Sequence, residues 1–332
     1  MGEGFVSFLS SSRTHPVVPM SSDRLLSRRA LLRRALGAGA ALAVAPLPAL
    51  GAGDPADEIR TRAIPSSGEP LPCVGLGTWR QFDVGEDSAQ RAALKTVLRR
   101  LVDLGGTVVD SSPMYGRSER VVGTLSAELG LTDQIFGATK VWTRGRAAGK
   151  RQMRRSMERM RQEPMDLMQV HNLVDWRTHL DTLQDWKARG LVRYVGVTHY
   201  VTSAFDELAT VITGRDIDFV QLPYSLRTRQ AEDRLLPLAA ENDVGVIVNE
   251  PFEGGALFGR VEGTPLPDWA ASFDCESWAQ FFLKYILGHE AVTCVIPGTS
   301  DPEHVVDNVR AGYGRLPDDT TRERMRRTLE RL

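Results

Sequence analysis

Short apolar runs and longer amphipathic runs alternate from residue 71 to the C-terminus. The apolar runs are CVGLGT (73–78), TVVD (107–110), QIFGATK (134–140), MDLMQVH (165–171), VRYVGVTH (192–199), DFVQL (218–222), VGVIVN (244–249) and VTCVIPG (292–298). Each is short, rich in β-branched residues and followed by polar or turn residues, which predicts strands. Between them apolar residues recur at helical spacing, in 88–105, 152–162, 176–190, 233–243, 277–288 and 302–312. Strand–helix alternation implies parallel strands, and eight such units predict a single-domain α/β (β/α)8 TIM barrel over 71–332. The run TTRERMRRTLERL predicts an extra C-terminal helix with a solvated basic face. A doubly wound sheet is the alternative, but it needs a G-x-G-x-x-G phosphate turn after an early strand. GLGTWR and EGGALFG lack that spacing.

The N-terminus follows a different pattern. Residues 1–51 carry six arginines and two acids, +4, whereas the remainder carries 35 basic and 40 acidic residues, −5. SRRALLRR (27–34) precedes the weakly apolar, small-residue stretch ALGAGAALAVAPLPALGAG (35–53). This order reads as the charged, apolar and cleavage regions of an export signal over 1–53, cleaved near 51. Arg28–Arg29 resembles a twin-arginine signal, which implies the twin-arginine export machinery as a transient partner and a periplasmic or extracellular protein. If the signal is not used, the protein stays cytoplasmic. Pro46 and Pro48 interrupt the run, so no stable membrane span is expected. A start at Met20 gives a tidier charged region than Met1. Residues 54–70 read as a polar linker.

Overall composition is ordinary for a globular chain, 42% hydrophobic and 25% charged with net charge −1. That balance gives no reason to expect a nucleic-acid partner. Cys73, Cys275 and Cys294 are too scattered for a disulfide framework or a zinc site, so no metal is expected. Cys73 and Cys294 fall in the first and last strands and read as buried thiols. His179, on a helical stretch, reads as solvated.

A barrel gathers its chemistry at the C-terminal ends of its strands. There the second run ends at Asp110, the third at Lys140 and the fourth at His171, with Tyr115 one short loop beyond Asp110. An ammonium beside a phenol stabilises the phenolate and pulls its pKa down from about 10. A carboxylate behind the lysine holds it charged. Tyrosine then serves as proton donor or acceptor, and histidine can orient the same substrate oxygen. The set suits carbonyl reduction, with hydride from a cofactor, because no side chain donates hydride.

VGLGTWR (74–80), Asp110 with the SSPMYGRSE that follows it (111–119), ATK (138–140), DLMQVHN (166–172), VRYVGVTHY (192–200), FVQLPYSL (219–226) and VIPGTSDPEHVVDN (295–308) resemble the aldo/keto reductase family, from about Leu71 to Gly312. The resemblance implies that Asp110, Tyr115, Lys140 and His171 form the catalytic tetrad, with Tyr115 the general acid. It also implies NADP as cofactor, with NAD the alternative, and a small-molecule carbonyl or alcohol as substrate. Gly77, Thr78, Thr198, His199, Gln221, Pro297, Gly298, Thr299, Ser300, His304 and Asn308 match its cofactor positions; Trp79 and Trp142 are candidate substrate contacts. Gln221 matches a residue that holds the nicotinamide carboxamide. Three matches depart from the family pattern. His199 stands for the usual Asn, Asn249 or Glu250 for a stacking aromatic, and His304 for an arginine on the 2′-phosphate. Thr299 and Ser300 can donate to that phosphate with the N–H groups of the helix start. These altered positions motivate a second reading, a non-catalytic barrel that binds a small molecule or a partner protein. A third is a Schiff-base lyase using Lys140, which a charged, paired lysine suits poorly.

Overall fold

Each of the eight foreseen runs contributes a strand to one parallel sheet. The computed structural model describes residues 58–332. An antiparallel hairpin of β1 (Thr61–Ala63) and β2 (Pro70–Pro72) comes first. The sheet then runs in chain order through β3 (Leu76–Gly77), β4 (Val108–Asp110), β5 (Phe136–Val141), β6 (Met165–His171), β7 (Val192–Thr198), β8 (Phe219–Pro223), β9 (Gly245–Asn249) and β10 (Val292–Val295). Bridges Val74–Val295 and Gly77–Gly298 close it into a barrel. Gly75 N–H donates to Val295 O, and Val295 N–H to Cys73 O, both at 2.9 Å. All eight strands point the same way, so their C-terminal ends share one rim.

The helices are α1 (Ser88–Asp103), α2 (Ser118–Leu129), α3 (Arg146–Met160), α4 (Trp176–Ala188), α5 (Phe205–Gly214), α6 (Leu235–Glu241), α7 (Ala256–Arg260), α8 (Trp278–Leu287), α9 (Pro302–Arg310) and α10 (Asp319–Glu330). Helix α1 shows how the sequence sets them. Asp87 caps it by accepting from Gln90 N–H at 2.8 Å, and Leu94, Val97, Leu98 and Leu101 form the buried stripe. Helices α2 and α5 and the short α7 are not evident in the pattern. Gly123 and Ser126 dilute the stripe of α2, and Gly123 is needed because a Cβ there would collide with the carbonyl of Arg159 on α3.

One apolar cluster lies between sheet and helices. A second fills the barrel with Val108, Phe136, Ala138, Leu167, Tyr194, Phe219, Ile247, Cys294 and Ile296, joined by Ile64 and Leu71. Ile64 and Leu71 come from the segments joined by the hairpin, which plugs the barrel's N-terminal end. This corrects the reading of 54–70 as a linker for its described part: Arg62 donates to His289 O at 2.8 Å, and Ile64 is fully buried.

Three further expectations change or hold. His179 is fully buried, not solvated, because Gly149 on α3 leaves room for its ring, and Nε2–H donates to Thr143 O at 2.7 Å. The extra helix α10 is present, but Arg322 turns inward and donates to Tyr224 Oη and Glu232, both at 2.6 Å. Cys73 and Cys294 are separate buried thiols. Among the described residues no helix is long and apolar enough to cross a membrane, and no cluster of metal-ligating residues occurs. The export signal over 1–53, its cleavage near 51 and the first linker residues lie outside the described residues.

Candidate active site

Asp110 is the last residue of β4 and Lys140 the fifth of β5, and both side chains reach the rim from inside the wall. Lys140 Nζ lies 2.5 Å from Asp110 Oδ1 and donates to Ser111 O at 2.7 Å. Both residues are essentially buried. Asp110 Oδ2 accepts from Gln169 Nε2 at 3.2 Å and from Gln221 Nε2 at 3.1 Å. The carboxylate is therefore gripped from three other strands, β5, β6 and β8. Thr78 donates to the Asp110 carbonyl through N–H at 3.0 Å and Oγ1 at 2.9 Å, tying β3 to the same point.

The loop after β4 brings Tyr115 over this pair. Gly116 adopts φ +63° with its Cα against the Asp83 carboxylate, a conformation and a space suited to glycine. Ser118 Oγ donates to Tyr115 O at 2.8 Å, and Arg117 N–H to Asp83 at 3.0 Å. Lys140 Nζ stands 5.1 Å from the Tyr115 ring centroid. His171, the last residue of β6, meets the same ring edge-on at 5.6 Å. Glu119 closes the Y-G-x-S-E string yet works elsewhere. It accepts from Thr139 at 2.7 Å and Arg159 at 3.2 Å, fastening α2 to β5 and α3.

The protonation states follow from burial and charge. Burial alone would lower the Lys140 pKa, but the Asp110 carboxylate and the Tyr115 oxygen outweigh it, so Lys140 is held above its usual value as an ammonium. Burial pushes the Tyr115 phenol above its ordinary range. Lys140 opposes that shift and Asp110 adds to it. The expected fall of the tyrosine pKa is thus corrected: at rest the phenol is fully protonated, a proton donor. Burial, then Lys140, then His199 push His171 down to about 2, so its imidazole is neutral.

Asp110, Tyr115 and His171 line a cleft of about 770 Å³ at the rim, with Lys140 buried behind them. Gly77, Thr78, Thr198, Gln221 and Gly298 line it, as do Trp79, Trp142, Asn249 and Glu250; Arg80, Asn172 and Phe258 are lining residues that sequence reasoning missed. Gly77 has no Cβ to meet Ile296 O, which would stand at 2.9 Å, so backbone forms that wall. Gln221 Oε1 accepts from Thr198 Oγ1 at 3.0 Å, and Asn249 Nδ2 donates to His199 O at 3.1 Å.

Other cofactor candidates stand apart from the cleft. Pro297, Thr299, Ser300, His304 and Asn308 lie on the loop after β10 and on α9, outside its lining. His199 turns back on its own chain, where Nδ1 accepts the N–H groups of Tyr200 at 3.1 Å and Val201 at 3.2 Å. The start of α9 differs from expectation. Asp301 takes its N–H groups, from Glu303 at 2.7 Å and His304 at 3.4 Å, and Thr299 Oγ1 accepts from Asp301 N–H at 3.0 Å.

Known proteins resemble the chain over most of its length. It is 29% identical over 245 residues to methylglyoxal reductase YeaE of Escherichia coli, covering 72% of this chain and 84% of that one. An aldo-keto reductase from Klebsiella pneumoniae, solved with NADPH, superposes with TM-score 0.66 at 26% identity, over 79% of this chain and 92% of that one. A second Klebsiella pneumoniae structure, at 24% identity over 82% of this chain and 95% of that one, shares the fold with TM-score 0.67. The profile of the aldo/keto reductase family matches residues 73–324, a span that takes in every residue of the Asp110–Lys140–Tyr115–His171 cluster, and the chain belongs to that family.

Proposed function

We propose that this protein reduces an aldehyde or ketone to an alcohol, or runs the reverse reaction, with NADP as cofactor and Tyr115 as general acid. The observation that carries the reading is the Lys140 ammonium held between the Asp110 carboxylate and the Tyr115 phenol, 2.5 Å from the first and 5.1 Å from the ring of the second. NADPH, when bound, supplies the hydride. Tyr115 gives its proton to the carbonyl oxygen, and Lys140 stabilises the phenolate that results. Neutral His171 donates a hydrogen bond to the same oxygen. Trp79 and Trp142, each 43% exposed at the cleft, flank the substrate.

The residues present fit the nicotinamide half of the cofactor. Gly77, Thr78, Thr198, Gln221 and Gly298 offer a backbone-lined wall and polar groups in the cleft, and the NADPH-bound relative supports this choice of nucleotide. Pro297, Thr299, Ser300, His304 and Asn308 would hold the adenosine half. His199 contributes through its carbonyl contact to Asn249 rather than its ring. The non-catalytic alternative is disfavoured by the intact tetrad. The relative named for methylglyoxal supports a small carbonyl as a first substrate to try.

The test is Tyr115→Phe. Carbonyl reduction should disappear while NADPH still quenches tryptophan fluorescence; wild-type turnover in that variant would sink the reading. The export proposal rests on Arg28–Arg29 and the following small-residue stretch. Replacing both arginines with lysine should trap the uncut protein inside the cell, and unchanged export would discard it.

A further inference from the structure

Gln169 lies two residues before His171 on β6, on the same inward face, and is fully buried. Its register partners are Lys140 on β5 and Gly196 on β7. A Cβ at 196 would meet Phe219 O at 2.8 Å and Gln169 Cγ at 3.2 Å, so glycine there serves both the close approach of β8 and the long amide. Nε2 donates to Asp110 Oδ2 at 3.2 Å; a flipped amide would set its carbonyl oxygen against a carboxylate. Gln169 Oε1 is buried with no hydrogen-bond partner. A core position that leucine could fill without such an orphan thus carries a polar side chain whose one partner is Asp110. Gln221 shares Oδ2 at 3.1 Å, and Oδ1 faces Lys140 at 2.5 Å. One carboxylate oxygen takes the amides and the other takes the ammonium.

We propose that Gln169 is a positioning residue for carbonyl reduction: its amide fixes the Asp110 carboxylate so that Oδ1 stays on Lys140 while charge develops on Tyr115. It touches neither substrate nor cofactor and acts through Asp110. The inference rests on the carbonyl-reductase reading above. The donor at this point is neutral in a crowded electrostatic setting. Lys140 from β5, Tyr115 from the loop after β4 and Cys294 from β10 face Asp110, while His171 on β6 faces Lys140 and Glu250 after β9 faces Tyr115. A glutamate at 169 would donate to Asp110 only when protonated. Ionised, it would place a second negative charge beside the first.

The experiment measures kcat, KM and pH profiles for Gln169→Glu and Gln169→Leu, with NADPH affinity from tryptophan quenching. At pH 8, kcat of Gln169→Glu should fall roughly 10- to 100-fold, the loss of one hydrogen bond to a charged group. KM and NADPH affinity should stay within about two-fold, because uniform binding is untouched. Below pH 6 Gln169→Glu should regain activity relative to wild type, and Gln169→Leu should not. Gln169→Glu nearly keeps the shape of glutamine, so its pH profile keeps the test open should Gln169→Leu fail to fold. Wild-type kcat and pH profile in the Gln169 variants, or a parallel fall of both at every pH, overturns the inference. A wild-type protein that reduces no carbonyl overturns the carbonyl-reductase reading instead.

Discussion

The Ser112 hydroxyl lies 2.9 Å from His171 Nδ1 and accepts the N–H of Met114 at 3.3 Å. With a backbone donor already on its oxygen, the hydroxyl proton is free to point at Nδ1. A hydroxyl that donates to Nδ1 leaves the neutral imidazole with its proton on Nε2, to which no protein group among the described residues bonds. The imidazole therefore presents a donor, suited to a carbonyl oxygen.

Ser112→Ala removes the group that sets this tautomer. Losing one buried hydrogen bond costs about 1 kcal/mol. The expected outcome is a fall in kcat/KM of roughly five- to ten-fold with NADPH affinity unchanged. Steady-state kinetics with tryptophan quenching checks it; unchanged kcat/KM would show that the ring is oriented by other contacts.

His171 also makes a prediction about pH. Its native value near 2 lies below the ordinary 6.5, so below 6.5 the unfolded chain binds a proton that the native state refuses. The contribution to stability is complete above pH 6.5 and is lost as pH falls toward 2. Between pH 6.5 and 5 His171 should cost wild type roughly 1–2 kcal/mol of unfolding free energy. His171→Gln should not show this loss, which urea denaturation of both proteins at several pH values would reveal. The same shift predicts no histidine limb near pH 6.5 in the kcat/KM profile.

The sequence pattern located all eight strands because parallel barrel strands are buried on both faces and stand out as apolar runs. It brought Asp110, Lys140 and His171 together because polar residues ending such runs lie on one rim. Packing between elements was much less legible. His179 sits on a helix, and only Gly149 on the neighbouring helix shows that its ring is covered. Arg322 belongs to a basic run, but its inward turn depends on Tyr224 and Glu232, 98 and 90 residues away in sequence. Ile64 and Leu71 are single apolar residues in polar surroundings, too few to show periodicity, though together they seal the barrel. Gln169 carried a readable signal, a lone polar residue inside DLMQVH on the same strand face as His171, but nothing in sequence showed its partner.

Asp301 bears on the choice of nucleotide. Its carboxylate caps α9, close in sequence to Thr299 and Ser300, where the family resemblance sets the 2′-phosphate. Asp301→Ser keeps a capping oxygen and removes the negative charge. NADPH should then bind several-fold more tightly relative to NADH, with the gain shrinking at high salt. Fluorescence titration with both nucleotides measures the ratio, and an unchanged ratio would place the phosphate elsewhere.

The hairpin plug gives the last prediction. Ile64 is fully buried and packs into the barrel interior at the end opposite the cleft, where Leu71 also lies. Truncating it to alanine removes apolar surface and leaves a cavity that the rigid strand ends around Val108 and Phe219 cannot collapse to fill. Such a change costs about 2–5 kcal/mol. The tetrad hangs from the other ends of the strands, so at a temperature where the variant stays folded its kcat should match wild type. Chemical denaturation should therefore show a large loss of stability while kinetics at about 15 °C show almost none. A variant of undiminished stability would mean that 58–72 contributes no more than the linker its polar sequence suggests.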